Sequence, residues 1–98
     1  MRIVFANDEL ALIETDEAGT TRLPVTAIKS ARRKLIVLRA ATDDRSLRKW
    51  KSLRYEKLKG NCEGQRSIRI NHQYRMVFRL DDETNPPTIT ILSIEDYD

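Results

Sequence analysis

The run VTAIKSARRKLIVLRAAT, from Val25 to Thr42, repeats apolar side chains at helical spacing. Ile28, Ala31, Leu35 and Leu38 recur at steps of three and four, and Ile36 and Ala40 widen the stripe. Lys29, Arg32, Arg33 and Arg39 fall off it. Pro24 suits a place at or just before the first turn. The pattern predicts an amphipathic helix over residues 25–41. Such a helix must bury its stripe against another layer.

Short strands supply that layer. MRIVF reads as an opening strand with Ile3 and Phe5 on one face, and DELALIE, residues 8–14, as a brief helix. Residues 15–22 read as a loop turning at Gly19. TDDRSLRKW reads as a turn leading into a short helical segment or a loop, and YEKLKG, with Tyr55 and Leu58 apolar, as a strand entering a turn at Gly60. A second turn falls at Gly64. In residues 66–71, Ile68 and Ile70 face one way and Ser67, Arg69 and Asn71 the other. After a turn, Tyr74, Met76, Phe78 and Leu80 share one side, with Arg75, Val77 and Arg79 opposite. Pro86 and Pro87 forbid strand in DDETNPP, and TITILSI is the last strand. The 98 residues suit one domain, residues 1–98, of the α+β class, with no repeat and no linker.

Composition excludes several classes. Apolar content is 40% and charged content 34%. No apolar run approaches the roughly 20 residues of a membrane helix. The N-terminus turns acidic at once and has no signal-peptide pattern, so the expected location is the cytosol, with no membrane role. Cys62 is the only cysteine, which excludes an intrachain disulfide and a cysteine-based metal site.

Charge is unevenly spread. Residues 1–44 hold seven basic and seven acidic side chains. Residues 45–79 hold eleven basic residues against Glu56 and Glu63, a local charge of +9. Residues 80–98 hold no basic residue and six acidic ones. A block at +9 repels itself, and a polyanion relieves it. The strand pattern sets Arg69, Arg75 and Arg79 in a row on the face turned away from the long helix. A guanidinium fork matches phosphate oxygens two at a time and stays charged. The simpler reading is that some of these arginines pair with Glu95, Asp96 or Asp98 on the terminal strand.

The K-L-K-G turn (Lys57 to Gly60), the S-I-R-I-N-x-Q-Y-R-x-x-F run (Ser67 to Phe78) and the terminal E-D-Y-x (Glu95 to Asp98) resemble HigB-type toxins of the RelE superfamily. The resemblance spans nearly the whole chain. It implies helices packed on a curved antiparallel sheet, the RelE-like fold that resembles small microbial ribonucleases. It implies cleavage of messenger RNA at the ribosome, translation inhibition and growth arrest. It also implies a helix-turn-helix antitoxin partner of the HigA kind, with operator DNA reached only through that complex. Residue by residue, the family's turn lysine falls on Lys59, its strand arginine on Arg75, and its terminal aspartate and tyrosine on Asp96 and Tyr97. The family usually ends D-Y-H, whereas Asp98 stands at the histidine position here.

RNA carries its own nucleophile in the 2′-hydroxyl. Cleavage needs that hydroxyl deprotonated, the phosphate charge stabilised and the 5′-oxygen protonated. No spaced set of metal ligands stands in the sequence, so no metal or other cofactor is expected. Arg75 and Lys59 suit the phosphate, and Arg69 suits a helper or backbone contact. Tyr97 suits the 2′-hydroxyl, a base stack or a proton relay. Asp98, with an ordinary Asp pKa near 3.9, is a weak base at neutral pH, and an attenuated enzyme is expected. Arg48, Lys49, Lys51, Arg54, Lys57 and Arg79 are expected RNA-backbone contacts. His72 reads as a turn residue, Tyr74 as core, and Trp50 as cover for the core edge. The rival reading is a catalytically silent protein of the same fold that binds its antitoxin, or RNA, without cutting.

Overall fold

The computed structural model describes residues 1–60 and 64–97. Cys62 and Asp98 therefore lie outside the described residues. The long helix is present as α2, Val25–Ala40, opened by Pro24. It follows β1 (Arg2–Phe5) and α1 (Asp8–Ala11), and it precedes α3 (Asp44–Lys49). Four strands complete the chain: β2 (Glu56–Lys57), β3 (Gln65–Arg69), β4 (Tyr74–Asp81) and β5 (Thr88–Asp96).

The apolar stripe of α2 is buried through Ala27, Ile28, Ala31, Leu35 and Leu38. Ala31, Leu35 and Leu38 enter one core cluster with Ile68, Met76, Phe78, Ile89 and Ile91 from the sheet. Ile36, expected to widen the stripe, is 65% exposed. It follows Leu35 by 100° of helical turn, which carries it beyond the sheet's footprint. Ala40 is also exposed.

The strand order is β1-β5-β4-β3-β2. Pairing is antiparallel from β5 to β2, as expected, but β1 joins the edge of β5 in parallel. The sheet is thus mixed. The whole helical region lies between β1 and β5 in sequence, which allows the crossover a parallel pair requires. A bulge in β5 sets Val77 opposite Ser93 and Phe78 opposite Ile91, leaving Leu92 as the extra residue. Ile89, Ile91 and Ile94 thereby share the core side despite their uneven spacing, and Ser93 and Glu95 point outward.

Local chemistry explains the turns. Asn71 Oδ1 accepts from the backbone N–H of Gln73 and of Tyr74, both at 2.8 Å, closing the β3–β4 hairpin. His72 is exposed in that turn. Gly60 and Gly64 adopt positive φ where turns were expected. The 15–22 loop turns through Gly19, as expected. It forms a 3-10 turn, Ala18–Thr21, and Arg22 takes the left-handed conformation at φ 64°. The expected helix over 8–14 is α1 followed by a 3-10 turn at Leu12–Glu14.

Two arginines of α2 hold that first segment. Arg32 donates from Nε to Ile13 O at 2.6 Å and from Nη2 to Thr15 O at 2.8 Å. Arg39 forms a two-pronged ion pair with Glu14. The hydrogen bond from Arg39 holds the Glu14 carboxyl below the usual carboxylate range, partly opposed by burial. At the far end of α2, the Met1 ammonium donates to the carbonyls of Leu38, Arg39 and Ala41 at 3.2, 2.9 and 2.6 Å. A cation there also answers the negative end of the helix dipole.

Two outcomes follow. Phe78 is 0% exposed at the centre of the core, so Phe78→Ala should cost about 3–5 kcal/mol of unfolding free energy in a urea titration. Glu14 has a depressed folded-state pKa, so its contribution is present above the unfolded carboxyl pKa and lost as pH falls through the folded one. Glu14→Gln should therefore cost about 0.2–1 kcal/mol at pH 7, a solvent-screened value, and the gap should close on acidification.

Candidate active site

The period-two pattern that buries Ile68, Met76 and Phe78 sends their neighbours to the opposite face of the sheet. Three rungs define that outer face. Arg69 pairs with Arg75, and Arg75 with Glu95. Glu56 pairs with Ser67, Ser67 with Val77, and Val77 with Ser93. Gln65 pairs with Arg79, and Arg79 with Thr90. The expected row of Arg69, Arg75 and Arg79 is real. It is not a bare cationic floor, because Ser67 and Val77 at its middle are each 3% exposed. Both are short side chains among long neighbours.

Arg69 and Arg75 stand directly across from each other, an arrangement that costs stability when the charges are alike. Arg69 donates from Nε to Asn71 O at 3.2 Å. Arg75 reaches Glu95 Oε1 only at 3.5 Å, and its Nε is buried with no hydrogen-bond partner. The simpler expectation, that an arginine pairs with the acidic terminal strand, thus holds for Arg75, loosely. Ser93 Oγ holds the other carboxylate oxygen of Glu95 at 2.6 Å.

The remaining expected residues distribute around this rung. Tyr97 is 44% exposed, and its backbone N–H donates to Gln73 O at 2.9 Å, one step beyond the Tyr74–Asp96 pair. Strand alternation returns Tyr97 to the side of Glu95 and Arg75. Asp96 shares the side of Tyr74 and accepts from the Gln73 amide at 3.2 Å. It stands away from the arginine face. Lys59 is exposed, beyond β2. Lys57 pairs with Arg66, three residues along β3 from Arg69, or about 10 Å at strand rise. Lys59 lies two residues further on. The structure therefore brings Arg69, Arg75, Glu95 and Tyr97 to one end of the face, and Arg79 marks the other, while Lys59 lies beyond the end of β2 with no strand partner that sets it on this face.

Not every expected RNA contact shares this face. Arg48 pairs with Asp44 at 3.2 Å and lies 5.8 Å from the Tyr55 ring centre. Tyr55 in turn packs against Phe78, ring centres 6.3 Å apart. Burial pushes the Tyr55 hydroxyl up from its ordinary pKa, opposed by the charge of Arg66. Lys49 and Lys51 flank Trp50 on the helical side. Lys57 points with Arg66, away from the outer face. Arg54 precedes β2 in a left-handed conformation, φ 48°. Among the described residues no group of three or more His, Cys, Asp or Glu side chains is arranged to hold a metal ion. No helix among them is long and apolar enough to cross a membrane.

Glu56 was not expected at this site. It is exposed, and its pairing with Ser67 puts it on the outer face. YEKLKG reads as a strand, but only the register with β3 says which side Glu56 takes.

A family model described as a HigB-like toxin, a RelE-like toxin of type II toxin–antitoxin systems, matches residues 4–88. Toxin HigB-1 of Vibrio cholerae serotype O1 is 34% identical over 82 residues, covering 84% of this chain and 86% of the relative. Among solved structures, a YoeB/ParE toxin from Agrobacterium tumefaciens aligns with a TM-score of 0.61 over 100% of both chains at 16% identity. The YoeB–YefM complex from Staphylococcus aureus aligns at 0.56, with 24% identity, over 97% of this chain and 94% of that one. These two share the fold. Matched in sequence over most of its length, the chain belongs to the HigB-like family of RelE-like toxins from type II toxin–antitoxin systems.

Proposed function

We propose that this protein is a toxin that cleaves messenger RNA at the ribosome without a metal ion, and that a helix-turn-helix antitoxin neutralises it. The observation that carries the reading is the Arg69–Arg75 rung: two arginines at directly paired strand positions, with Glu95 as a long-range counter-ion and the Arg75 Nε without a hydrogen-bond partner among the described residues. Like charges held this way on a rigid strand pair are relieved by a phosphate that both can reach. Binding releases the counterions of the nucleic acid, so it weakens steeply with salt.

In this reading Arg75 neutralises the phosphate at the scissile bond, and Arg69 shares its charge or holds the adjoining backbone. Tyr97, exposed at the end of the same rung, orients the 2′-hydroxyl or stacks on a base. Arg79, further along the face, holds the strand on one side of the cut, and Lys59, exposed beyond β2, reaches the phosphate from the sheet's edge. Proton removal from the 2′-hydroxyl falls to a carboxylate. Glu95 is held by Arg75 and Ser93, whereas Glu56 is exposed on the same face and better placed to accept a proton. Asp96 steadies the strand end that carries Tyr97. The rival, a silent binding protein, is favoured by Asp98 at the family's histidine position, which removes one proton donor.

Expression without a partner separates the readings. An enzyme should arrest growth and deplete messenger RNA, and a silent binder should do neither. Arg75→Ala and Lys59→Ala should abolish the arrest while urea unfolding stays near wild type. Full toxicity in both would refute the site. Glu56→Gln should lower the cleavage rate by about 10²–10⁴-fold, as expected for a positioned base. Asp98→His should raise activity, and an unchanged rate would show that attenuation does not act through that position.

A further inference from the structure

Glu95 stands beside Arg75 at the end of the Arg69–Arg75 rung, yet the pair does not close. A charge-assisted N–H···O bond settles at about 2.7–2.9 Å, and Arg75 Nη2 stops 3.5 Å from Glu95 Oε1. The other carboxylate oxygen is held better, because Ser93 Oγ donates to Glu95 Oε2 at 2.6 Å. The carboxylate is divided between a serine hydroxyl and a guanidinium, and the hydroxyl has the shorter bond. The Glu95 side chain is 45% exposed, so packing does not fix it there.

The β5 bulge puts both residues on this face. Counted from the buried Ile91, strict alternation would send Leu92 outward and both Ser93 and Glu95 inward. The bulge at Leu92 inverts that order, setting Ser93 opposite Val77 and Glu95 opposite Arg75. Beside them, Arg75 keeps a buried Nε with no hydrogen-bond partner among the described residues. Arg69 is turned to the Asn71 carbonyl.

We infer that Glu95 is a positioning residue that stands in for an RNA phosphate on Arg75, and that Ser93 sets how firmly it does so. The inference rests on the phosphate role proposed above for Arg75. In the free protein the Glu95 carboxylate offsets the repulsion across the rung and keeps the Arg75 guanidinium aimed along it. Ser93 draws that carboxylate back, so the guanidinium is never fully satisfied. An incoming phosphate, whose oxygens match two guanidinium N–H groups at once, displaces a carboxylate that already sits too far away. A closed Arg75–Glu95 pair would have to break before RNA could bind, and without Glu95 two like charges would face each other. An ordinary surface ion pair needs no serine, so Ser93 separates the two cases.

The test measures affinity for a labelled 2′-O-methyl RNA oligonucleotide by fluorescence anisotropy. Glu95→Gln removes the competing charge and should tighten binding about three- to tenfold. Ser93→Ala lets the carboxylate close on Arg75 and should weaken binding about threefold, the size of one lost hydrogen bond. Ser93→Thr keeps the hydroxyl and should bind like wild type. Ser93→Ala combined with Glu95→Gln should match Glu95→Gln alone, because Ser93 acts only through that carboxylate. Without RNA, the Arg75 Nη–H signals, averaged by rotation in wild type, should separate in Ser93→Ala, a signature that lost stability does not produce. Both residues lie outside the core cluster, so far-UV circular dichroism should be unchanged. Trp50, expected to cover the core edge but 51% exposed on the helical side, is the internal control. A shift in its emission at saturation would place the RNA away from the rung and overturn the inference. Glu95→Gln that fails to tighten binding, or Ser93→Ala that fails to weaken it, overturns the inference and leaves the phosphate role of Arg75 intact. RNA bound by none of these proteins refutes that role, and the inference with it.

Discussion

The structure depends on one burial: the stripe of Ala31, Leu35 and Leu38 on α2 against Ile68, Met76, Phe78, Ile89 and Ile91 of the sheet. Side chains alternate across a strand, so once one set is buried the other set has no choice of side. A slip of one residue would carry Arg69, Arg75 and Arg79 into the core and Ile68 and Met76 into water. The hydrophobic cost of that exchange pins the register. The cationic face is therefore a consequence of core packing, and its arginines are held with the rigidity of the sheet.

That rigidity has an electrostatic cost. Arg69 and Arg75 cannot move apart, and Glu95 answers only one of them, at long range. The arrangement is poor for an isolated domain and good for gripping a polyanion. Functional sites are where a fold tolerates such conflicts. The arginine contacts that do serve stability lie elsewhere. Arg39 with Glu14, and Arg32 with two carbonyls, fasten the first segment to α2.

Much of this was legible beforehand because it is periodic. The spacing of Ile28, Ala31, Leu35 and Leu38 located α2, and the alternation through Ile68, Arg69, Arg75 and Met76 located the hairpin and the sides of its residues. What escaped depended on tertiary pairing. β1 alternates whether its neighbour is parallel or antiparallel, so its direction beside β5 had no local signal. The Leu92 bulge breaks the period and looks like noise until Val77 and Phe78 are seen opposite Ser93 and Ile91. Arg22 takes the left-handed conformation where it closes the 3-10 turn over Ala18–Thr21, and no local signal marked that position. Glu56 joined the outer face, and Asp96 left it, for the same reason: each assignment needed a cross-strand partner. Trp50 was read as core cover because an apolar residue among lysines has no period to show that it stays exposed.

The most direct measurement follows the arginine Nε–H signals by nuclear magnetic resonance during titration with a 2′-O-methyl RNA oligonucleotide, which binds but cannot be cut. If the outer face grips phosphate, the Arg69 and Arg75 signals move together and early, while the Trp50 indole stays in place. Movement of helix arginines with Arg69 and Arg75 unchanged would contradict it.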